Sequence, residues 1–389
     1  MRVYDALPPA SVRIGFYRAA GVWKDAAVIE HGPEGTMHYV QSNVRGETSH
    51  FFATGLKEHQ IIFGDTENLE KAILEVDQKR KPSLMIVMSS PVSEIIGVDL
   101  KAVCFKMQSH VQASLSVLDQ LPADGSETQG KSIAYKAAAA FLKNNAPKLP
   151  DVQKSGALIL GLSEVDYNGI SDLNEIRRML QDYFGIPLLN DELGRYNLCD
   201  VKKAQWILAV EPEAAVLAAM AKELWDIPWY QGIPYGVDAC KALVSAVEQA
   251  TGVSPSALWK QDLKEASFVT RQFSSSMENR RRRRVFLDVR PSRMNALERF
   301  IKLELGMECI RPSDQVSALS TNGAVNRNPE IMTDDILLGS GLLCMLHDCN
   351  PSICMEDPVV RHKAFSRHLP LMGIWGAENV LSLLYSCLL

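Results

Sequence analysis

The chain has 389 residues, 47% hydrophobic and 22% charged, enough apolar side chain to build cores and to exclude global disorder. Forty-one basic residues against 46 acidic ones leave a net charge of −5, so nucleic acid is not an expected partner. No apolar run reaches the roughly 18–20 residues that span a bilayer, so no membrane partner is expected. Residues 1–20 carry charges and no signal-peptide core, which makes a cytoplasmic location the expectation.

Residues 26–29 read as a short strand that runs into His31-Gly32-Pro33-Glu34-Gly35, where glycine and proline force a turn. Residues 61–63 read as a second strand. Thr66 is placed to cap a helix with Leu69, Ile73 and Val76 on one face, ended by Lys81-Pro82. The apolar run 84–88 reads as a buried parallel strand. It opens into Ser89-Ser90-Pro91, the strand end at which α/β sheets bind ligands.

The same grammar restarts at 157–161. Asp172 can cap a helix whose apolar face is Leu173, Ile176, Leu180 and Phe184, stopped by Gly185-Ile186-Pro187. A strand at 206–210, a helix at 214–224, an edge strand at 227–230 and a helix at 237–249 follow. A third restart comes at 285–289, with a helix at 294–305, strands at 307–310 and 335–338, and a last helix at 376–384. Three restarts predict an α/β fold of three doubly wound Rossmann-like domains with parallel sheets, at 1–125, 126–260 and 261–389. Linkers are expected at 121–130 and 265–284. The second holds Ser274-Ser275-Ser276 and the run Arg280-Arg281-Arg282-Arg283-Arg284, best read as a solvated linker.

There are eight cysteines and no C-x-x-C pair. Cys344, Cys349 and Cys354, near His347, form the one cysteine cluster. Three thiolates can hold iron, but free cysteine more often packs as a small hydrophobe. His31, His38, His50 and His59 concentrate near the first strands, where imidazole can bind metal, move a proton or simply bond a turn. No Walker sequence occurs, so any coupled ATP hydrolysis belongs to another protein.

Six segments, taken in order, resemble one family: the nitrogenase component 1 type of oxidoreductase subunits. His31-Gly32-Pro33-Glu34-Gly35-Thr36 is similar to its HGPxGC turn. Residues 53–64 resemble its T-x-L-x-E-x-x-x-x-F-G stretch, and 89–97 its T-C-x-x-x-x-I-G stretch. Ile233-Pro234-Tyr235-Gly236, residues 335–340 and residues 369–377 complete the set. The resemblance implies that the three domains surround a central cleft. It further implies ATP-coupled, low-potential reduction of a small molecule or tetrapyrrole. Electrons would come from a separate ATP-dependent iron–sulfur reductase, and a homologous subunit would complete a dimer or heterotetramer. The alternatives are a non-catalytic scaffold or partner subunit for metallocofactor assembly, and a structural subunit with no redox centre.

The departures from the pattern carry weight. Thr36 stands where the family usually has a cluster cysteine, Ser90 replaces another, and no cysteine lies between Met37 and Gly64. Iron prefers thiolates to neutral hydroxyls. By resemblance, then, no metal site made by this chain's own cysteines is expected. A 4Fe–4S cluster shared at a subunit interface and ligated mainly by a partner, or complete loss of the cluster, remains. The residues implied for cofactor binding are Glu34, Thr36, Ser90, Glu127, Gln129 and Tyr235. Those implied for catalysis are His31, His362 and His368. Thr128, Glu164 and Tyr167 are further cleft candidates.

Overall fold

The computed structural model describes residues 11–44, 48–63, 66–122, 125–150, 152–278, 284–311, 331–332, 334–340, 344, 350–356 and 369–388. Three parallel sheets organise them. The first joins β1 (Ala26–His31), β2 (Phe51–Ala53), β3 (Leu84–Ser89) and β4 (Ser114–Leu118) in the order β2-β1-β3-β4. The second joins β5 (Gly156–Leu160), β6 (Ala204–Ala209) and β7 (Trp229–Gln231) in sequence order. The third joins β8 (Arg284–Asp288), β9 (Glu308–Ile310), β10 (Ile336–Ser340) and β11 (Ser352–Glu356) in the order β11-β10-β8-β9. Every strand pair is parallel, so the α/β architecture read from the sequence is the one observed.

Helices connect the strands. They are α1 (Val12–Ala20), α2 (Glu34–Asn43), α3 (Glu58–Phe63), α4 (Glu67–Arg80), α5 (Pro91–Ile96), α6 (Leu100–Met107) and α7 (Glu127–Asn145). The later ones are α8 (Gly169–Phe184), α9 (Ala215–Trp225), α10 (Gly236–Thr251), α11 (Ala257–Glu278), α12 (Pro291–Arg299) and α13 (Gly373–Ser386). The second sheet is the middle layer. Leu158, Leu160, Ile207 and Ala209 face a core shared with α1, α7, α9 and the first sheet. The alternate residues Ala157, Ile159, Trp206 and Leu208 face a core shared with α8, α10, α11, α13 and the third sheet. Successive strand residues point to opposite faces, so one strand serves both cores.

Three sequence expectations are corrected. Residues 61–63 lie in α3, because an apolar triplet carries no period that separates helix from strand. Within 121–130, residues 127–130 are not a linker. Ser126 caps α7 through a 3.3 Å bond from the Gln129 N–H, so Glu127 to Gly130 form that helix's first turn. Within 265–284, residues 265–278 are not a linker either. Helix α11 runs to Glu278, burying Trp259, Ala266, Thr270, Phe273 and Met277 at helical spacing behind the serine run. Arg284 opens β8, and its guanidinium grips both Asp335 carboxylate oxygens at 2.9 and 2.8 Å. Arg280 to Arg283 lie outside the described residues.

Helices α1 and α7 cross with backbones almost touching. A Cβ on Gly15 would collide with the Glu127 carbonyl, and one on Gly130 with the Val12 carbonyl. At the other end of the chain, α13 has no side-chain cap of its own. Its N-terminus is held instead by carboxylates of α8. Asp172 Oδ1 accepts from the Leu371 and Met372 N–H groups at 2.6 and 2.9 Å, and Glu175 Oε1 from the Trp375 N–H at 3.1 Å.

Burial pushes the Asp172 carboxyl up to about 6, and its backbone hydrogen bonds and Arg293 offset only part of that. A carboxyl raised in the fold destabilises it once ionised, so this contribution falls as pH climbs from about 4 through about 6. Asp172→Asn keeps an acceptor at Oδ1 and removes the buried charge. In chemical denaturation across that range, the variant's stability relative to wild type should rise with pH, by up to about 3 kcal/mol. A difference that falls with pH contradicts this assignment.

Candidate functional site

Two clusters of polar side chains form where parallel strands end. The first is the turn after β1. His31 is fully buried, in register with Ser89 of β3, and its Nδ1 lies 3.1 Å from Thr54 Oγ1. Gly32 follows. A Cβ there would collide with the Ser90 side chain and lie 3.4 Å from Thr36 Oγ1, so the turn brings both hydroxyls to one point. Only glycine admits that approach.

Each hydroxyl also has local work. Thr36 Oγ1 donates to the Pro33 carbonyl at 2.8 Å. Ser90 caps α5 in a capping box with Ser93, accepting the Ser93 N–H at 3.1 Å while the Ser90 N–H donates to Ser93 Oγ at 2.8 Å. Glu34 is exposed at the first position of α2 and leans toward Gly55. Below the turn, buried Glu30 Oε2 accepts from Arg13 at 2.9 Å and from the Tyr17 hydroxyl at 2.7 Å. The Arg13 guanidinium also reaches the Ser89 carbonyl at 3.1 Å.

The second cluster sits where the three sheets meet. Lys131 Nζ, on α7, lies 2.8 and 2.9 Å from the two carboxylate oxygens of Glu211, just past β6. It also lies 3.8 Å from Asp166, past β5, and 3.7 Å from Glu127, one turn earlier on α7. Arg18 of α1 donates to both Glu127 oxygens at 2.9 Å. Arg290, two residues past β8, reaches Glu211 at 3.1 Å, Asp166 at 3.3 Å and Glu127 at 3.9 Å. Three cations thus balance three carboxylates, the six drawn from five chain segments. Burial raises Asp166, but Lys131, Arg290 and Arg293 outweigh it and hold the group at about 2. Burial likewise opposes ionisation of Glu127, and Lys131, Arg18 and Arg290 win, leaving it below its ordinary value. Behind the cluster, a narrow cavity lined by Arg18, Lys131, Tyr135, Asp166, Tyr196 and Glu211 has room for about one water molecule.

Of the sequence-predicted residues, the fold brings His31, Glu34, Thr36 and Ser90 together at the first cluster. Glu127 falls in the second. Gln129 is exposed on α7, and Tyr235 is 1% exposed in the core beside α10. His362 and His368 lie outside the described residues. Sequence reading missed Arg18, Lys131, Asp166, Glu211 and Arg290. For Asp166, Glu211 and Arg290 a signal existed, since each follows shortly after a strand of a parallel sheet, where ligand loops belong.

Four of the described thiols, Cys104, Cys199, Cys240 and Cys309, sit where thiolate is disfavoured. Burial pushes Cys104 up to about 12 and Cys199 and Cys309 to about 11, and raises Cys240 well above the usual thiol range. Iron is bound by thiolate, which such environments disfavour. Among the described residues no three His, Cys, Asp or Glu side chains are placed to hold a metal ion.

The sequence profile described as nitrogenase component 1 type oxidoreductase matches residues 11–321. The chain belongs to this family. Within it, the chain is 28% identical to the nitrogenase iron-molybdenum cofactor biosynthesis protein NifE of Clostridium pasteurianum, over 56% of this chain and 48% of that protein. It is 32% identical to the protein of the same name from Methanococcus maripaludis, over 59% of this chain and 48% of the relative. The chain therefore spans about half the length of these curated relatives. The solved structure titled nitrogenase Cp1 at pH 6.5 superposes with a TM-score of 0.71 at 16% identity, covering all of this chain and 93% of that one. That likeness is one of fold. No described helix is long and apolar enough to cross a membrane.

For this family member, Lys131 is the test of the second cluster. Lys131→Met leaves Glu211 and Asp166 only the partly exposed Arg290 as a shared cation, which should cost up to about 3–5 kcal/mol in urea denaturation. A loss below about 1 kcal/mol would place the pair in the class of exposed ion pairs.

Proposed function

We propose that this chain is a scaffold or partner subunit in the assembly of a metallocofactor. In this reading a homologous subunit supplies most of the metal ligands. Glu34, Thr36 and Ser90 offer it oxygen atoms at the turn after β1, and the pair works in the cytoplasm. The observation that carries the reading is that the curated relatives above are named for iron-molybdenum cofactor biosynthesis. The chemistry of the chain agrees. By the family resemblance, Thr36 and Ser90 offer hydroxyls where the pattern has thiols, and burial raises the Cys104, Cys199, Cys240 and Cys309 thiols above their ordinary range. Such a chain can shape and shield a site while another subunit binds the iron.

The reductive alternative asks more of the chain. ATP-coupled reduction of a small molecule or tetrapyrrole needs an electron path, which a partner's ligands would also have to supply. His31, His362 and His368 would then have to move protons to the substrate.

Anaerobic co-expression with a cysteine-bearing homologous subunit tests the proposal. The complex should hold iron at stoichiometric levels and release its metal cargo to an apo-acceptor. It should show no reductant-dependent ATP turnover with an iron–sulfur reductase. Sustained ATP-coupled electron uptake with a small-molecule product would overturn the scaffold reading.

A further inference from the structure

One side chain grips the chain at the root of both hydroxyl-bearing turns. The ladder between β1 and β3 ends at the pair His31 and Ser89, and past it the strands part into the turns that carry Thr36 and Ser90. Arg13, on α1, spans this point. Its guanidinium donates to Glu30 Oε2 at 2.9 Å, one residue before His31. Through both terminal nitrogens it donates to the Ser89 carbonyl at 3.1 Å, one residue before Ser90. It also lies 3.9 Å from Glu94 of α5, the helix that Ser90 caps. Glu94 accepts from the Ser89 hydroxyl at 2.8 Å, and that hydroxyl accepts the Gln120 N–H at 3.1 Å. The base of the Arg13 side chain is fixed as well, because α1 packs on α7 with no room for a methyl group at Gly15.

We propose that Arg13 is a positioning residue that sets the separation and orientation of the Thr36 and Ser90 side chains. Those side chains go where the strand ends go: Thr36 is tied to its turn by the bond to the Pro33 carbonyl, and Ser90 by its capping box. Arginine suits the work. Its planar fork aims several donors in fixed directions and can bond two strands at once, whereas an ammonium is a point charge. The contact is also hard to break. Glu30 is fully buried, and losing Arg13 would strand its charge. The purpose of this geometry, an oxygen-bearing face offered to a partner's metal, rests on the scaffold reading; the geometry itself does not.

Cadmium binding to the full chain tests the assignment, because a soft metal reads the mutual position of two thiols. With Thr36→Cys and Ser90→Cys introduced together, the chain should bind cadmium(II) more tightly than with either replacement alone. Adding Arg13→Lys, which keeps a cation for Glu30 but loses the fork, should weaken that affinity on the order of tenfold. Arg13→Met combined with Glu30→Gln strands no charge, should have the same effect, and keeps the test available if the lysine variant does not fold. The denaturation midpoint of each variant is read beside the affinity. A merely structural role would shift the midpoint and leave the affinity of the folded chain unchanged. Equal cadmium affinity with and without the Arg13 replacements, or no gain of the paired cysteines over the single ones, would overturn the assignment. Neither readout involves the co-expressed complex, so a failure of the scaffold reading would appear there and not here.

Discussion

A buried lysine on one long helix organises this molecule. Lys131 carries its charge into the junction of three sheets, where an unpaired ammonium is untenable, and Glu211 and Asp166 must meet it there. That requirement fixes the ends of β5 and β6 against α7. The same helix is pressed onto α1 at Gly15 and Gly130, with no room for a methyl group. Helix α1 in turn reaches back to the first sheet through Arg13, Glu30 and Ser89. A short chain of contacts thus runs from the turn after β1, through α1 and α7, to the strand ends of the second sheet and Arg290 of the third.

Much of the fold was legible because parallel strands buried on both faces have an unmistakable pattern. Residues 84–88 and 157–160 are unbroken apolar runs, and β3 and β5 are buried along their whole length. The failures have physical causes. The polar first turn of α7 and the serine run of α11 look like linkers, yet both helices bury a stripe on the hidden side. Sequence spacing reports that stripe only when the window is long. The glycine at position 130 read as a loop signal, whereas its function is to let two helices touch.

The candidate site divides along the same line. His31, Glu34, Thr36 and Ser90 were reached through the family resemblance, and the pairing of His31 with Ser89 brings the turns after β1 and β3 together. Lys131, Asp166, Glu211 and Arg290 are spread over 160 positions, and their meeting depends on how three sheets pack. No local pattern encodes that. Glu127 was reached through family resemblance, but its role as an ion-pair partner of Arg18 emerged from the packing alone.

The central claim is that α1, α7, the first sheet and the second sheet form one cooperative body through the core they share. Native-state hydrogen exchange measured against increasing denaturant tests it most directly. The amides of β1, β3, β5, β6 and α7 should converge on a single opening with one free energy and one denaturant slope. If β1 and β3 open separately from β5 and β6, at lower free energy and with a smaller slope, α7 does not couple the two sheets and the account fails.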